Sequence, residues 1–252
     1  MRLHTLASGS SGNSYCVETD NELIFVDIGV PVSAIKTLLS TIPTGKNISL
    51  LLTHEHTDHI KGLVPFVNYL QPRIYSSIGT AEIISEFVPA ELIFPLEADQ
   101  SQYIGGFGVT PFNVSHDAAE PFGYVIMTPN CNVGVMTDLG HVTKEQIEQL
   151  KHVDFLILEA NHDKDMLRKG KYPHYLKRRI AGAKGHISND EAVSTLVSLQ
   201  DSAVKRCLFA HVSEENNDYE ILDRLAAFCT ENYGIYTQVL RQKGCAGGVY
   251  SL

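Results

Sequence analysis

The sequence predicts an α+β fold, a four-layer αββα sandwich, and three observations carry that expectation. Apolar runs of strand length come in two successive batches, each followed by segments with helical patterning. Those runs end in acidic or imidazole residues, so that Asp27, the His54–His59 group, His116, Asp138 and His211 fall at five separate strand ends. No linker, low-complexity tract or internal repeat interrupts the chain, and residues 1–252 are read as one domain.

The densest of these strand ends is Thr53-His54-Glu55-His56-Thr57-Asp58-His59. It follows Leu50-Leu51-Leu52, which reads as a buried strand. Neutral imidazole and carboxylate are the ligands preferred by zinc and its first-row neighbours, and nothing in core packing asks for three imidazoles in one short loop. A helix is expected to open near Ile60, with Asp58 placed as its N-cap.

From the N-terminus, Leu3–Ala7 reads as a strand running into Ser8-Gly9-Ser10-Ser11-Gly12-Asn13-Ser14. Small residues of this kind let backbone N–H groups converge on an anion, but the lysine of a P-loop is absent, and a plain tight turn is an equal reading. Tyr15–Glu18 and Leu23–Val26 read as paired strands, the second ending at Asp27-Ile28-Gly29. Asp27 either orients metal-binding groups by hydrogen bonds or caps the helix Val32–Leu39. Further on, strands are expected at Arg73–Tyr75, in a hairpin over Tyr103–Phe112, at Phe122–Met127, Val133–Thr137 and Phe155–Leu158. The helix from Glu191 to Leu199 is expected to take Asn189 or Asp190 as N-cap. Cys207–Ala210 reads as a core strand, Asp218–Glu231 as a helix and Ile235–Leu240 as an edge strand.

Composition bounds the function. No apolar run approaches the roughly 18 residues of a membrane span, and the N-terminus turns polar too soon for a secretory signal. Five cysteines without CxxC spacing (Cys16, Cys131, Cys207, Cys229, Cys245) read as buried thiols of a cytoplasmic protein. A net charge of −9 argues against bulk electrostatic coating of nucleic acid. Between Lys164 and Lys184, however, Lys164, Arg168, Lys169, Lys171, Lys177, Arg178, Arg179 and Lys184 cluster around Tyr172, His174 and Tyr175. That segment reads either as a solvated helix face or as a phosphate-binding patch with tyrosines for stacking.

Taken together, the Asp27 strand tip, His54-x-His56-x-Asp58-His59, His116, Asp138 and His211 resemble, in order, the motifs of the metallo-β-lactamase superfamily. The resemblance spans nearly the whole chain and implies two divalent metal ions. It assigns one metal to His54, His56 and His116, a second to Asp58, His59 and His211, and makes Asp138 the bridge, with Asp27 behind them. Zinc is the first expectation, with manganese, iron or nickel compatible with the same donors. Two ions about 3.5–4 Å apart lower the pKa of a shared water and hold the electrophile's oxygens. An aspartate at position 138, where β-lactamases of the superfamily usually carry cysteine, points to phosphoester or thioester hydrolysis.

The Ser8–Ser14 loop, Leu158-Glu159-Ala160-Asn161-His162, Gly185-His186-Ile187-Ser188 and Ala210-His211-Val212-Ser213 are similar to the WalJ (YycJ) subgroup of proposed exonucleases. In layout they are also similar to transfer-RNA 3′-processing nucleases. This resemblance implies a catalytic set of Asp58, Glu159 and His186, with His186, held by Glu159, protonating the leaving oxygen. In the transfer-RNA enzymes a histidine precedes the glutamate; Leu158 stands there in this chain, and His162 is the candidate substitute. Ser10, Ser11, Asn13, Ser188, Lys177 and Arg178 are the expected substrate contacts, and nucleic acid is the expected partner. Other classes are a hydrolase of a small phosphodiester such as a cyclic nucleotide, a thioesterase, and a metal-binding regulator without turnover.

Overall fold

The computed structural model describes residues 1–241 and 248–252, so Cys245 lies outside the described residues. In chain order the first elements are β1 (Arg2–Ala7), β2 (Ser14–Glu18), β3 (Glu22–Val26), α1 (Val32–Ser40), β4 (Asn47–Leu51), α2 (Thr57–Ile60), α3 (Leu63–Leu70), β5 (Arg73–Ser76), α4 (Ile78–Ile84) and β6 (Ile93–Pro95). The hairpin strands β7 (Gln102–Ile104) and β8 (Phe107–Asn113) follow, then β9 (Phe122–Met127), β10 (Val133–Met136), α5 (Lys144–Leu150) and β11 (Phe155–Glu159). The rest is α6 (Lys164–Lys169), α7 (His174–Ile180), α8 (Asn189–Leu199), β12 (Arg206–Ala210), α9 (Tyr219–Tyr233), β13 (Tyr236–Val239) and β14 (Gly248–Ser251). The backbone gathers into two compact units. The first holds Met1–Asn113, Ala118–Phe122 and the described C-terminal residues; the second holds Val114–Asp117 and Gly123–Arg241.

The sheet of the first unit has the order β14-β1-β2-β3-β4-β5-β6. Its first half is antiparallel, and from β3 onward the pairing is parallel. Parallel strands need crossovers, which the helices between β3 and β6 supply, and a parallel strand covered by helices is apolar on both faces. Hence Phe25, Leu50, Leu52 and Ile74 pack with Phe66 of α3 in one cluster, Phe25 meeting Phe66 edge-on at 5.3 Å and 69°. Strand β14 pairs Ser251 with Arg2 at the far end of the chain, a partner that the sequence reading did not foresee.

Two helix starts differ from expectation. The single helix expected from Ile60 is broken at Gly62, whose N–H donates to Ile28 O at 2.8 Å; a Cβ there would lie 2.0 Å from Val30 O. Backbone contact at that range admits glycine alone and leaves α2 as one turn before α3. Asp58 is not its cap: His56 is the N-cap and Asp58 lies in the first turn. Nor does Asp27 cap α1, whose N-cap is Pro31.

Away from the strand tips, Glu18 is buried among cations. Arg2 Nη2 and His4 Nε2 reach it at 2.8 and 2.7 Å, and Lys46 Nζ lies at 3.3 Å. Burial alone would raise its pKa, but the hydrogen bonds from His4, Arg2 and Lys46 outweigh burial and hold the carboxyl below its ordinary value of 4.5. A depressed carboxyl stabilises the fold above its unfolded pKa, and that stabilisation is lost as pH falls through the folded value. Thermal unfolding between about pH 6 and about pH 3 should therefore show a steeper acid loss of Tm in the parent than in Glu18→Gln. Equal slopes would mean that Glu18 contributes nothing to acid sensitivity.

The second unit carries the order β13-β12-β11-β10-β9, antiparallel between β9 and β10 and parallel from β10 to β13. Every residue of β11 is buried. Helix α8 is capped by Ser188, not by Asn189 or Asp190. The Ser188 side chain accepts from Glu191 N while the Glu191 side chain returns the bond, a complete capping box. The basic segment, unassigned by periodicity, forms α6 and α7, with Asp163 capping the first. Cys16, Cys131, Cys207 and Cys229 are buried free thiols, as expected.

Candidate metal centre

In both units the polar residues collect where parallel strands end, the edge at which open α/β sheets place their sites. Three of those exits bend through left-handed backbone: Asp27 at φ 60°, Asp138 at 58° and His211 at 51°. Asp27-Ile28-Gly29 after β3 and Asp138-Leu139-Gly140 after β10 are the same corner used twice.

In the first unit the corner at Asp27 organises the loop after β4. Asp27 is fully buried and its carboxylate accepts three bonds: from Thr53 N at 2.8 Å, Thr53 Oγ1 at 2.8 Å and His59 Nδ1 at 2.7 Å. A hydrogen on Nδ1 of His59 leaves the lone pair on Nε2, the nitrogen that a metal takes. Thr53 Oγ1, having donated to Asp27, lies 3.0 Å from His54 Nδ1 and fixes that ring in the same sense. The His54 ring centroid is 4.6 Å from that of His56 and 4.1 Å from that of His59.

Replacing Asp27 by asparagine, which tolerates its φ of 60°, turns an amide NH2 toward the Thr53 hydroxyl and the His59 N–H in a dry site. The expected cost is about 3–5 kcal/mol of stability, with a 10–100-fold loss of metal affinity. Urea unfolding and a zinc titration measure the two effects, and an unchanged urea midpoint would refute the anchoring role.

The Ser/Gly loop is wired into this half-site. Asn13 is fully buried; its Nδ2 lies 3.2 Å from Asp58 Oδ2 and 3.1 Å from His59 Nε2, while its Oδ1 accepts from Gly9 N at 2.8 Å. Asn13 N donates to Asp58 O, and Gly29 N to Asn13 O, each at 2.8 Å. The expected substrate contact at Asn13 is thus an orienting contact to Asp58, because no face of it is open. Ser10 and Ser11 are exposed at the loop tip, where Lys61 Nζ donates to Ser11 O. Glu55, given no role by the sequence reading, accepts from Ala119 N at 2.8 Å and Thr80 Oγ1 at 3.3 Å, tying the ligand loop to residues 118–122.

The second unit builds its half around Glu159, fully buried at the end of β11. Its Oε1 accepts from His186 Nδ1 at 2.8 Å and from His211 Nδ1 at 3.0 Å; its Oε2 accepts from Ile187 N at 3.0 Å and Leu139 N at 3.3 Å. Burial alone would raise the Glu159 pKa, but the His186 and His211 imidazoles outweigh it and hold the carboxyl well below the ordinary range. His211 turns Nε2 to within 3.2 Å of Asp138 Oδ1. His116 donates Nδ1–H to Gly185 O at 3.0 Å, and its Nε2 lies 3.9 Å from Asp138 Oδ1. Ligand atoms of Asp138, Glu159, His186 and His211 all lie within 4.8 Å of one another.

Asparagines brace this half, a role that ligand-type reasoning missed. Asn161 Nδ2 donates to His211 O at 2.9 Å, and Asn217 Nδ2 donates to Asn161 O at 2.9 Å. Asn189 and Asn217 exchange amide bonds at 2.8 and 2.9 Å. Ser188, an expected substrate contact, is buried in the α8 cap. His162 does not join Glu159, whose oxygens are filled by His186, His211, Ile187 and Leu139. It bridges Ser188 through the backbone instead.

The donor chemistry suits divalent ions. Where Nδ1 is bonded to Asp27, Thr53, Gly185 or Glu159, Nε2 carries the lone pair, and carboxylates Asp58 and Asp138 stand beside the rings.

A model of the beta-lactamase superfamily domain matches residues 40–212. The chain is also 33% identical to an exodeoxyribonuclease YycJ of Bacillus anthracis, over 98% of its own length and 93% of the relative's. The chain belongs to the metallo-β-lactamase superfamily. With an exodeoxyribonuclease WalJ of Streptococcus pneumoniae it shares 31% identity over 86% of this chain and 83% of that one. The solved metallo-β-lactamase fold protein YhfI of Bacillus subtilis matches with a TM-score of 0.74 at 17% identity, covering 99% of this chain and 98% of that one. The α+β class expected from the sequence is that of the superfamily, and the protein is a metal-dependent hydrolase. Among the described residues no helix is long and apolar enough to cross a membrane.

Proposed function

We propose that this member of the superfamily is a cytoplasmic dinuclear phosphodiesterase that degrades DNA from its ends. The observation that carries the reading is the exposure of one imidazole in the second half-site. The His186 side chain is 19% exposed, whereas those of His116 and His211 are 2% and 3% exposed. His186 spends Nδ1 on Glu159, so Nε2 is the atom left to meet a substrate. The similarity to two exodeoxyribonucleases supports DNA as that substrate.

In this reading the donors that would hold the two ions are His54, His56, Asp58 and His59 of the first unit and His116, Asp138 and His211 of the second. The all-imidazole and carboxylate set favours zinc, with manganese, iron or nickel as competitors. When bound, the ions supply Lewis-acid polarisation of the phosphoryl oxygens and activation of water. The chain's own residues do the rest. Asp27 and Thr53 fix the ring orientations of His59 and His54, and Asn13 aims Asp58. Glu159 orients the His186 ring through Nδ1, and His186, when it carries a proton on Nε2, delivers that proton to the departing sugar oxygen.

A salt series tests the reading with metal-loaded protein on end-labelled duplex DNA, single-stranded DNA and RNA. Bis(p-nitrophenyl) phosphate is assayed alongside. Stepwise shortening of DNA that fades as salt rises is expected, because polynucleotide binding weakens steeply with salt. Cleavage of the small diester alone, indifferent to salt, would replace nucleic acid with a small phosphodiester.

A further inference from the structure

Helices α6 and α7 of the second unit frame a cleft of which the scheme above uses only His186. Its volume is 430 Å³, inside the roughly 300–1,000 Å³ typical of small-ligand sites. Lys164, Arg168, Lys177 and Arg178 line it against one carboxylate, Glu191. Oε2 of that carboxylate accepts from Ser188 N at 3.1 Å and Ser188 Oγ at 2.9 Å. Lys164 pairs with Asp190 and Arg168 with Asp165, but all four side chains are more than half exposed. Such pairs are weak, and an incoming dianion displaces them readily. Lys177 Nζ donates to Arg168 O at 2.8 Å and so pins α7 onto the end of α6.

The rest of the lining is of a different kind. Leu167 and Ala181 contribute apolar surface, and His162 sits behind them, 2% exposed and with a buried Nδ1 that has no hydrogen-bond partner among the described residues. Burial lowers the His162 pKa and favours the neutral ring. A neutral imidazole offers both a donor and an acceptor, and one of its nitrogens is left for a ligand. The last wall is His186, the exposed imidazole of the Glu159 pair. Tyr172 and Tyr175, which the sequence reading offered for stacking, are not among the lining residues, whereas His174 is.

Four cations, apolar surface from Leu167 and Ala181, a buried imidazole and the volume of a small ligand together describe a site for a phosphate joined to a base. We propose that this cleft is a mononucleotide subsite. Its cations take a phosphate next to the one being cleaved, and its apolar floor and His162 take that nucleotide's base, with His186 between the subsite and the bond to be broken. The proposal rests on the phosphodiesterase reading and adds a discrete pocket for one nucleotide, which makes a nucleoside monophosphate product a ligand in its own right.

The test separates the two claims by using the metal-free, full-length protein. Calorimetry compares inorganic phosphate, deoxyadenosine, and deoxyadenosine 5′- and 3′-monophosphate, for the parent and for Arg178→Ala and Lys164→Ala. Both substitutions lie on exposed positions and leave the fold intact, which circular dichroism verifies. At least one monophosphate is expected to bind tenfold or more tightly than phosphate or nucleoside. Each substitution should weaken it about tenfold, and the same monophosphate should inhibit DNA hydrolysis competitively. Monophosphate binding no tighter than phosphate, or undiminished in Arg178→Ala, overturns the subsite even if DNA is hydrolysed. Tight, Arg178-dependent monophosphate binding without DNA hydrolysis under any metal supports the subsite and removes the nuclease reading instead.

Discussion

Replacing His186 by alanine should slow DNA hydrolysis by about 10²–10⁴-fold, the usual worth of a positioned general acid. The same variant should hydrolyse bis(p-nitrophenyl) phosphate at close to the parent rate. An alkoxide departing from DNA needs a proton in the transition state, whereas p-nitrophenolate is stable enough to leave without one. The contrast isolates proton delivery from metal binding, because loss of an ion would slow both substrates alike. His186 suits the test structurally: Glu159 keeps its bonds to His211, Ile187 and Leu139 when the ring is removed. Parallel losses on the two substrates would show that His186 holds the site together and does not supply the proton.

Asp138→Asn should cost about 10³ in turnover, the kinetic equivalent of about 4 kcal/mol of lost charge stabilisation. Metal content, read by mass spectrometry, should fall below two ions per chain. Asparagine is the right probe because position 138 has φ 58°, a conformation that asparagine tolerates and alanine does not. An alanine variant would mix backbone strain with loss of the ligand. With asparagine, thermal unfolding of the metal-free protein should stay within a few degrees of the parent. Two retained ions and full activity would remove Asp138 from the metal centre.

The strand ends were legible because each is an apolar run stopped by a residue type that cores reject, and the structure places Asp27, Asp138, Glu159 and His211 at such ends. The superfamily model matches residues 40–212, the stretch that holds Asp138, Glu159 and His211. What the sequence reading missed depends on contacts distant in sequence. The break at Gly62 exists because Val30 O lies against it, and β14 exists because Arg2 is there to pair with Ser251. A cap was one reading of Asp27 and Asp58 because a capping aspartate and an anchoring or ligand aspartate look alike locally; only the partners, His59 and Thr53 for the one and Asn13 for the other, tell them apart. The bracing role of Asn161, Asn189 and Asn217 escaped notice because a bracing amide carries no signature short of its hydrogen bonds.

The left-handed corners also bear on how this chain can change over generations. At Asp27 three accepted hydrogen bonds reward an aspartate whatever the protein does for a living. At Asp138 the backbone conformation by itself favours glycine, by about 1 kcal/mol. Glycine is a single base change away from aspartate. A lineage kept only for its stability would lose Asp138 early and Asp27 late, so the pair records whether selection for turnover has continued.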